Sequence, residues 1–262
     1  MHYVAPQVWV WRKGRVKKIK KFIDHILLLF FFEKPFFEKE HVSCEFVGHP
    51  LLEDKRNTKI DINQLIGRNK ALISIFAGSR ISEINILMPI LLNFIKLMKD
   101  KYNDITFVFH SIREHNELMH FYIKNSGLTN CELVCDEKIK AHLLKKSIFA
   151  IVKSGTVSLE ICNAKIPSVI LYKMNFINFL IIKMLVKIKY ANIINFAANK
   201  QVIPELLQFK CNSKNIFKTV CEFLNNPSKI EEQVNETQVI LNKFKTHKSS
   251  SELASDALNR FV

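Results

Sequence analysis

Two short turns in this 262-residue chain carry the residue types that hold phosphate. The first is Ala77-Gly78-Ser79-Arg80, set between an apolar run and an amphipathic stretch. Gly78 lets a phosphate approach the backbone, Ser79 offers a hydroxyl and Arg80 supplies a forked cation. An ordinary strand-to-helix turn with a surface arginine would have the same residues. The second is Ser154-Gly155-Thr156, again ahead of a helical pattern. Backbone N–H groups at a helix start attract a diphosphate. Glu160 follows Thr156 by one helical turn, where a carboxylate can accept both hydroxyls of a ribose. Capping of the helix by Ser154 or Thr156, with Glu160 complementing the dipole, is the competing account.

These turns need elements to position them. Strand-like runs at 71–76, 105–110, 132–135, 148–152 and 168–172 alternate with helical periods at 82–99, 114–126, 138–146 and 157–164. Such alternation predicts an α/β fold with a parallel, doubly wound, Rossmann-type sheet. In that sheet ligands bind at the carboxyl ends of the strands, where both turns fall. Helices are expected at 215–225, 230–245 and 252–260, the last capped by Ser249-Ser250-Ser251. The first 50 residues read differently. They hold a strand at 4–11, a basic helix at 14–25, an apolar strand at 27–32 and a strand at 44–47 ending in Gly48-His49-Pro50. No glycine-rich turn accompanies them, so they read as the incomplete remnant of a second domain. The polar stretch 53–70 reads as a linker. The division expected is 1–54, 55–245 and 246–262.

Lys and Arg exceed Asp and Glu by 15 charges, which suggests a polyanionic partner (nucleic acid, an anionic bilayer or phosphate-bearing substrates) without choosing among them. The six cysteines show no paired metal-binding spacing and read as reduced thiols of a cytosolic protein, with no metal and no cofactor. No signal-peptide pattern opens the chain, and the longest mainly apolar runs fall far short of a bilayer span of about 20 residues. The apolar segment 176–189 carries Lys183, Lys187 and Lys189, and suits either the interface of an anionic membrane or a core helix with outward lysines. Asn195, Glu205 and Gln208 follow it. His49 reads as a hinge or core histidine rather than a catalytic base, and Phe30, Phe31, Phe32, Phe36 and Phe37 as core rather than a cofactor or base-stacking surface.

These motifs together resemble the lipid-A-disaccharide synthases. His2-Tyr3-Val4-Ala5-Pro6 with Val8-Trp9-Val10-Trp11-Arg12 is similar to that family's HYVSPSVWAWR stretch. In order follow Phe46-Val47-Gly48-His49-Pro50-Leu51, Gly78-Ser79-Arg80 with Glu83-Ile84, and Ser154-Gly155-Thr156 with Leu159-Glu160. Tyr172-Lys173, Leu185-Val186-Lys187, Tyr190, Asn195 and the run from Val202 to Gln208 continue it. The resemblance implies a GT-B-like architecture. It implies a glycosyltransferase that moves 2,3-diacylglucosamine from UDP to 2,3-diacylglucosamine 1-phosphate, with inversion, giving lipid A disaccharide and UDP. Gly78, Ser79, Arg80, Ser154, Gly155 and Thr156 would then hold the diphosphate without an obligatory metal, and Glu160 the ribose. Asn195 and Gln208 would close the donor site.

The partners implied are the two lipid substrates and an anionic membrane surface at the cytoplasmic face of the inner membrane. No nucleic acid is implied, and a homo-oligomer is compatible with the sequence. Ala77 and Ile194 stand where the family has proline. The resemblance also implies a GExSGD turn and an acidic base upstream of the region matched here. A catalytic residue is therefore expected outside this sequence. The alternative is a fragment that retains UDP-sugar binding alone.

Overall fold

The structure is a computed structural model and describes residues 1–8, 14–53, 71–176, 178–180 and 189–260. It divides into two compact units. One holds the described parts of Met1–Lys55, Leu180–Lys189 and Val239–Val262; the other holds those of Arg56–Phe179 and Tyr190–Gln238. The last helix, expected as a separate piece, therefore groups with the first 55 residues.

In the first unit three parallel strands, β1 (His2–Tyr3), β2 (His25–Leu28) and β3 (Ser43–Phe46), lie in the order β1-β2-β3. Ala5, Val8, Val16, Ile26, Leu28, Phe37 and Val42 form its core. Three elements are shorter than their sequence patterns suggest. The strand expected at 4–11 is not where the first strand lies: it spans His2–Tyr3 and stops because Val4 adopts φ 74° and Pro6 follows, while residues 9–11 lie outside the described set. The basic helix spans only Arg15–Ile19. It buries Val16 alone, and its closely spaced cations, with no acidic residue in the helix between them, repel one another. The apolar run 27–32 leaves the sheet after Leu28. There the Phe30 N–H donates to the Glu33 carboxylate (3.2 Å), and a 3-10 turn (Phe31–Glu33) leads into the helix Lys34–Glu38. Of the five rings expected as core, Phe30 and Phe37 are buried while Phe31, Phe32 and Phe36 are half-buried, with Phe30 stacked on Phe32 and edge-on to Phe244 at centroid distances of 5.4 Å. Ser249 caps the helix Ser250–Asn259 in a reciprocal box with Glu252.

The second unit is built on six parallel strands: β4 (Ala71–Phe76), β5 (Ile105–His110), β6 (Cys131–Val134), β7 (Ser147–Lys153), β8 (Ser168–Tyr172) and β9 (Glu205–Leu207). Their order is β6-β5-β4-β7-β8-β9. Its central strands are nearly continuous apolar runs, as strands covered on both faces require. On one face the helix Ile81–Lys99 buries Ile84, Leu87, Met88, Leu91, Leu92, Phe94, Ile95 and Met98, a helical stripe. By length and composition that helix could cross a membrane, but this stripe belongs to the sheet's hydrophobic core. The three-residue β9 and the helix Ile193–Ala198 are too short to show a period in sequence. Most of the apolar segment 176–189, with Lys183 and Lys187, lies outside the described residues, as does the linker after Glu53.

Candidate functional site

The chain runs outward from β4 through β5 to β6, then returns to the other side of β4 as β7 and runs outward again. This is the doubly wound order, and its reversal falls at the carboxyl ends of β4 and β7, the position where ligands bind in such sheets. Those strands pair in parallel, with Phe76 opposite Val152. Both turns therefore begin at matching heights on neighbouring strands.

In the first turn Gly78 adopts φ +112°, and a Cβ there would lie 2.5 Å from Glu83 Oε2. Glycine is thus required by the close approach of the Glu83 carboxylate. That carboxylate accepts from the Ser79 N–H (3.2 Å), the Arg80 guanidinium (3.1 Å) and the Lys153 ammonium (2.7 Å). Burial pushes the Glu83 carboxyl upward. The Lys153 hydrogen bond and charge, with Ser79 and Arg80, outweigh it and hold the group below the usual carboxylate range. The Ser79 carbonyl accepts from His115 Nε2 (3.0 Å), while the Arg80 side chain stays 75% exposed.

The second turn uses neither hydroxyl as a helix cap. Ser154 Oγ donates to the Ala191 carbonyl (2.9 Å), and Thr156 makes no side-chain cap bond to the helix Val157–Asn163. Gly155 and Thr156 are exposed. Glu160 pairs with Lys140 at 3.0 Å, and Lys140 also meets Glu137 at 2.6 Å. Burial works against the Lys140 charge, but the two carboxylates outweigh it and raise its pKa.

Asn195 and Gln208 sit behind the turns. Asn195 is fully buried; its Oδ1 accepts from the Val202 and Ile203 N–H groups (2.8 Å each). Its Nδ2 donates to the Ile203 carbonyl (2.7 Å) and to Glu205 (2.8 Å). Glu205 also accepts from the N–H groups of Ala191 and Asn192, tying this knot to the residue that receives Ser154. Gln208 pairs its amide with both backbone groups of Met174, at 3.2 and 2.8 Å. Both amides hold backbone in place.

Comparison with known proteins decides the family. The family model described as Lipid-A-disaccharide synthetase matches residues 1–258. The chain belongs to the lipid-A-disaccharide synthase family. Its members are glycosyltransferases of lipid A biosynthesis. It is 34% identical over 266 residues to the lipid-A-disaccharide synthase of Rickettsia typhi, covering 99% of this chain and 69% of that protein. Against the Rhodospirillum centenum synthase it is 31% identical over 238 residues, 89% of this chain and 59% of that one. Among solved structures, the Staphylococcus aureus MnaA–UDP co-structure superposes with a TM-score of 0.65 at 15% identity, over 91% of this chain and 60% of that chain. Staphylococcus aureus TarM gives 0.54 at 12% identity, over 94% and 45%. These likenesses establish the shared fold.

The sequence offered His49 in the first unit, and the structure places it in a packed setting. His49 is buried against Phe30, its Nδ1 accepts from the Leu51 N–H (3.2 Å), and burial lowers its pKa against the opposing charge of Glu53. It is a core histidine. Four residues of the second unit matter more than their sequence context suggests. Glu83 lies one helical turn past Arg80 and Lys153 directly precedes Ser154, so both were within reach of local reading. Lys140 reaches Glu160 from another helix, and Glu205 reaches back to Ala191, Asn192 and Asn195, so neither contact follows a helical spacing.

Glu83 makes a testable contribution to stability. Its carboxyl is held below the usual range when folded, so its contribution is complete above the unfolded-state pKa. It is lost as pH falls through the lowered folded value. Glu83→Gln should therefore be less stable than wild type at neutral pH, with the gap narrowing in acid. Urea unfolding at neutral and acid pH measures this; a gap independent of pH would contradict it.

Proposed function

We propose that this chain holds the UDP-sugar donor for transfer of 2,3-diacylglucosamine to 2,3-diacylglucosamine 1-phosphate, the step that yields lipid A disaccharide and UDP. The observation that carries this reading is the pair of phosphate-suited turns on adjacent parallel strands at the reversal of strand order. When the acceptor hydroxyl attacks the anomeric carbon, the bond from that carbon to the diphosphate breaks and negative charge gathers on UDP. Arg80 and the exposed backbone of Gly155 and Thr156 would stabilise that charge where it develops. Glu160, steadied by Lys140, would take the ribose hydroxyls. Asn195 and Gln208 would act by fixing the backbone around the site.

We further propose that the chain works at an anionic membrane surface on the cytoplasmic side, where its lipid substrates reside. Support comes from the net charge of +15 and from an exposed ring cluster beside Gln208. There Phe209 is 72% exposed and lies 6.2 Å from Phe176 and 6.0 Å from Phe179.

The test is calorimetric titration with UDP. Arg80→Ala should weaken binding by about tenfold to a hundredfold, the range of one charge-assisted hydrogen bond. Lys187→Ala, in the basic apolar segment, should change it little. Absence of UDP binding by wild type, or equal losses in the two variants, would sink the proposal.

A further inference from the structure

Lys153 is the last residue of β7, yet its side chain reaches to the β4 side of the strand reversal. Its ammonium lies 2.7 Å from Glu83 Oε1 and 5.7 Å from the centroid of the Tyr172 ring, with 17% of the side chain exposed. It therefore links three neighbouring strand ends: the turn after β4, the start of the turn after β7, and the end of β8. Glu83 cannot easily swing away. It is lodged in the space left by the missing Gly78 side chain and is also held by the Ser79 N–H and Arg80.

An ammonium has three N–H donors. Among the described residues this one meets one carboxylate oxygen and one ring face, so donor capacity remains. The local charges also leave room for an anion, because Glu83 opposes two cations, Arg80 and Lys153. A cation already fixed by packing and a salt bridge needs little reorganisation to bind one.

We propose that Lys153 is a diphosphate-binding residue of this site, pre-positioned by Glu83 between the two turns. The inference rests on the UDP-sugar reading and adds a second cation to Arg80. A compact ammonium lodged among the strand ends should favour a diphosphate over a monophosphate.

The experiment compares UDP and UMP affinities, by calorimetry on the full chain, for wild type, Lys153→Met and Lys153→Arg. Lys153→Met should weaken UDP by roughly tenfold or more, as expected for a lost charge-assisted contact, while changing UMP much less. Lys153→Arg should keep most of the preference for UDP. A merely structural lysine would lower both affinities together. Should Lys153→Met fail to fold, wild type still provides a test. Saturating UDP should slow modification of Lys153 by an amine-acylating reagent, followed by mass spectrometry, and uridine should not. An unchanged UDP-to-UMP ratio in Lys153→Met, or unchanged labelling under UDP, overturns the inference while leaving the donor-site reading intact. Failure of wild type to bind UDP overturns both.

Discussion

Asn195→Ala should lower the unfolding free energy by about 3–5 kcal/mol, the cost of leaving several buried backbone groups without partners. The asparagine is completely buried and makes four hydrogen bonds, two accepted and two donated. An alanine methyl satisfies none of them, and water has little access to replace it. Measured against a total stability of about 5–15 kcal/mol, that loss is large. Asn195→Asp should also destabilise, because it keeps the acceptors for Val202 and Ile203 but sets a second carboxylate against Glu205. The effect should extend to ligand. Glu205 holds Ala191, and Ala191 receives Ser154, so loosening the knot should weaken UDP binding although Asn195 touches none of it. Urea unfolding and calorimetry measure the two effects. A stability loss below about 1 kcal/mol would show that the surrounding backbone finds other partners.

Asn195 also shows how far the sequence could be read. Its importance was legible through the family motif, but its task was not. Four hydrogen bonds to three residues, Val202, Ile203 and Glu205, create an internal knot that only the fold assembles. The sheet was far more transparent. Apolar runs such as Ala71–Phe76 alternate with a helix as strongly patterned as Ile81–Lys99, and that rhythm leaves few alternatives to a parallel sheet. Ser168–Tyr172 was bounded correctly from composition alone. The first 50 residues were harder for a physical reason. The run 27–32 is apolar enough for a strand, but the Glu33 carboxylate captures the Phe30 N–H and Pro35 favours a helix start, so the chain turns early. At the proposed site, type and spacing singled out Gly78, Ser79, Arg80 and the Ser154 turn but left phosphate binding and ordinary turn or capping roles both open. The capping role offered for Ser154 and Thr156 is not one either hydroxyl adopts. The Lys140–Glu160 pair is long-range and leaves no local pattern.

Gly78→Ala should damage both fold and site, whereas Gly155→Ala should leave the fold almost unchanged. At Gly78 the backbone has φ +112°, a conformation that costs a residue with a side chain about 1–3 kcal/mol. The new methyl would also lie 2.5 Å from Glu83 Oε2 and 2.8 Å from Glu83 Cβ. The carboxylate could rotate aside, but the Cβ is fixed to the helix, so the turn itself must shift. Glu83 would then lose its grip on the Ser79 N–H, Arg80 and Lys153 together. Phosphate affinity should fall with the order of those groups, by on the order of tenfold or more for each charge-assisted contact displaced. Gly155 provides the contrast, since among the described residues an added Cβ there meets only the Lys153 carbonyl oxygen at 3.9 Å. Its alanine variant should remain within about 0.5 kcal/mol of wild type, as for a surface substitution without a special backbone role. Paired urea titrations and UDP calorimetry on the two variants measure the difference. Equal destabilisation of both would mean that the packing of Glu83 against Gly78 does not hold the first turn in shape.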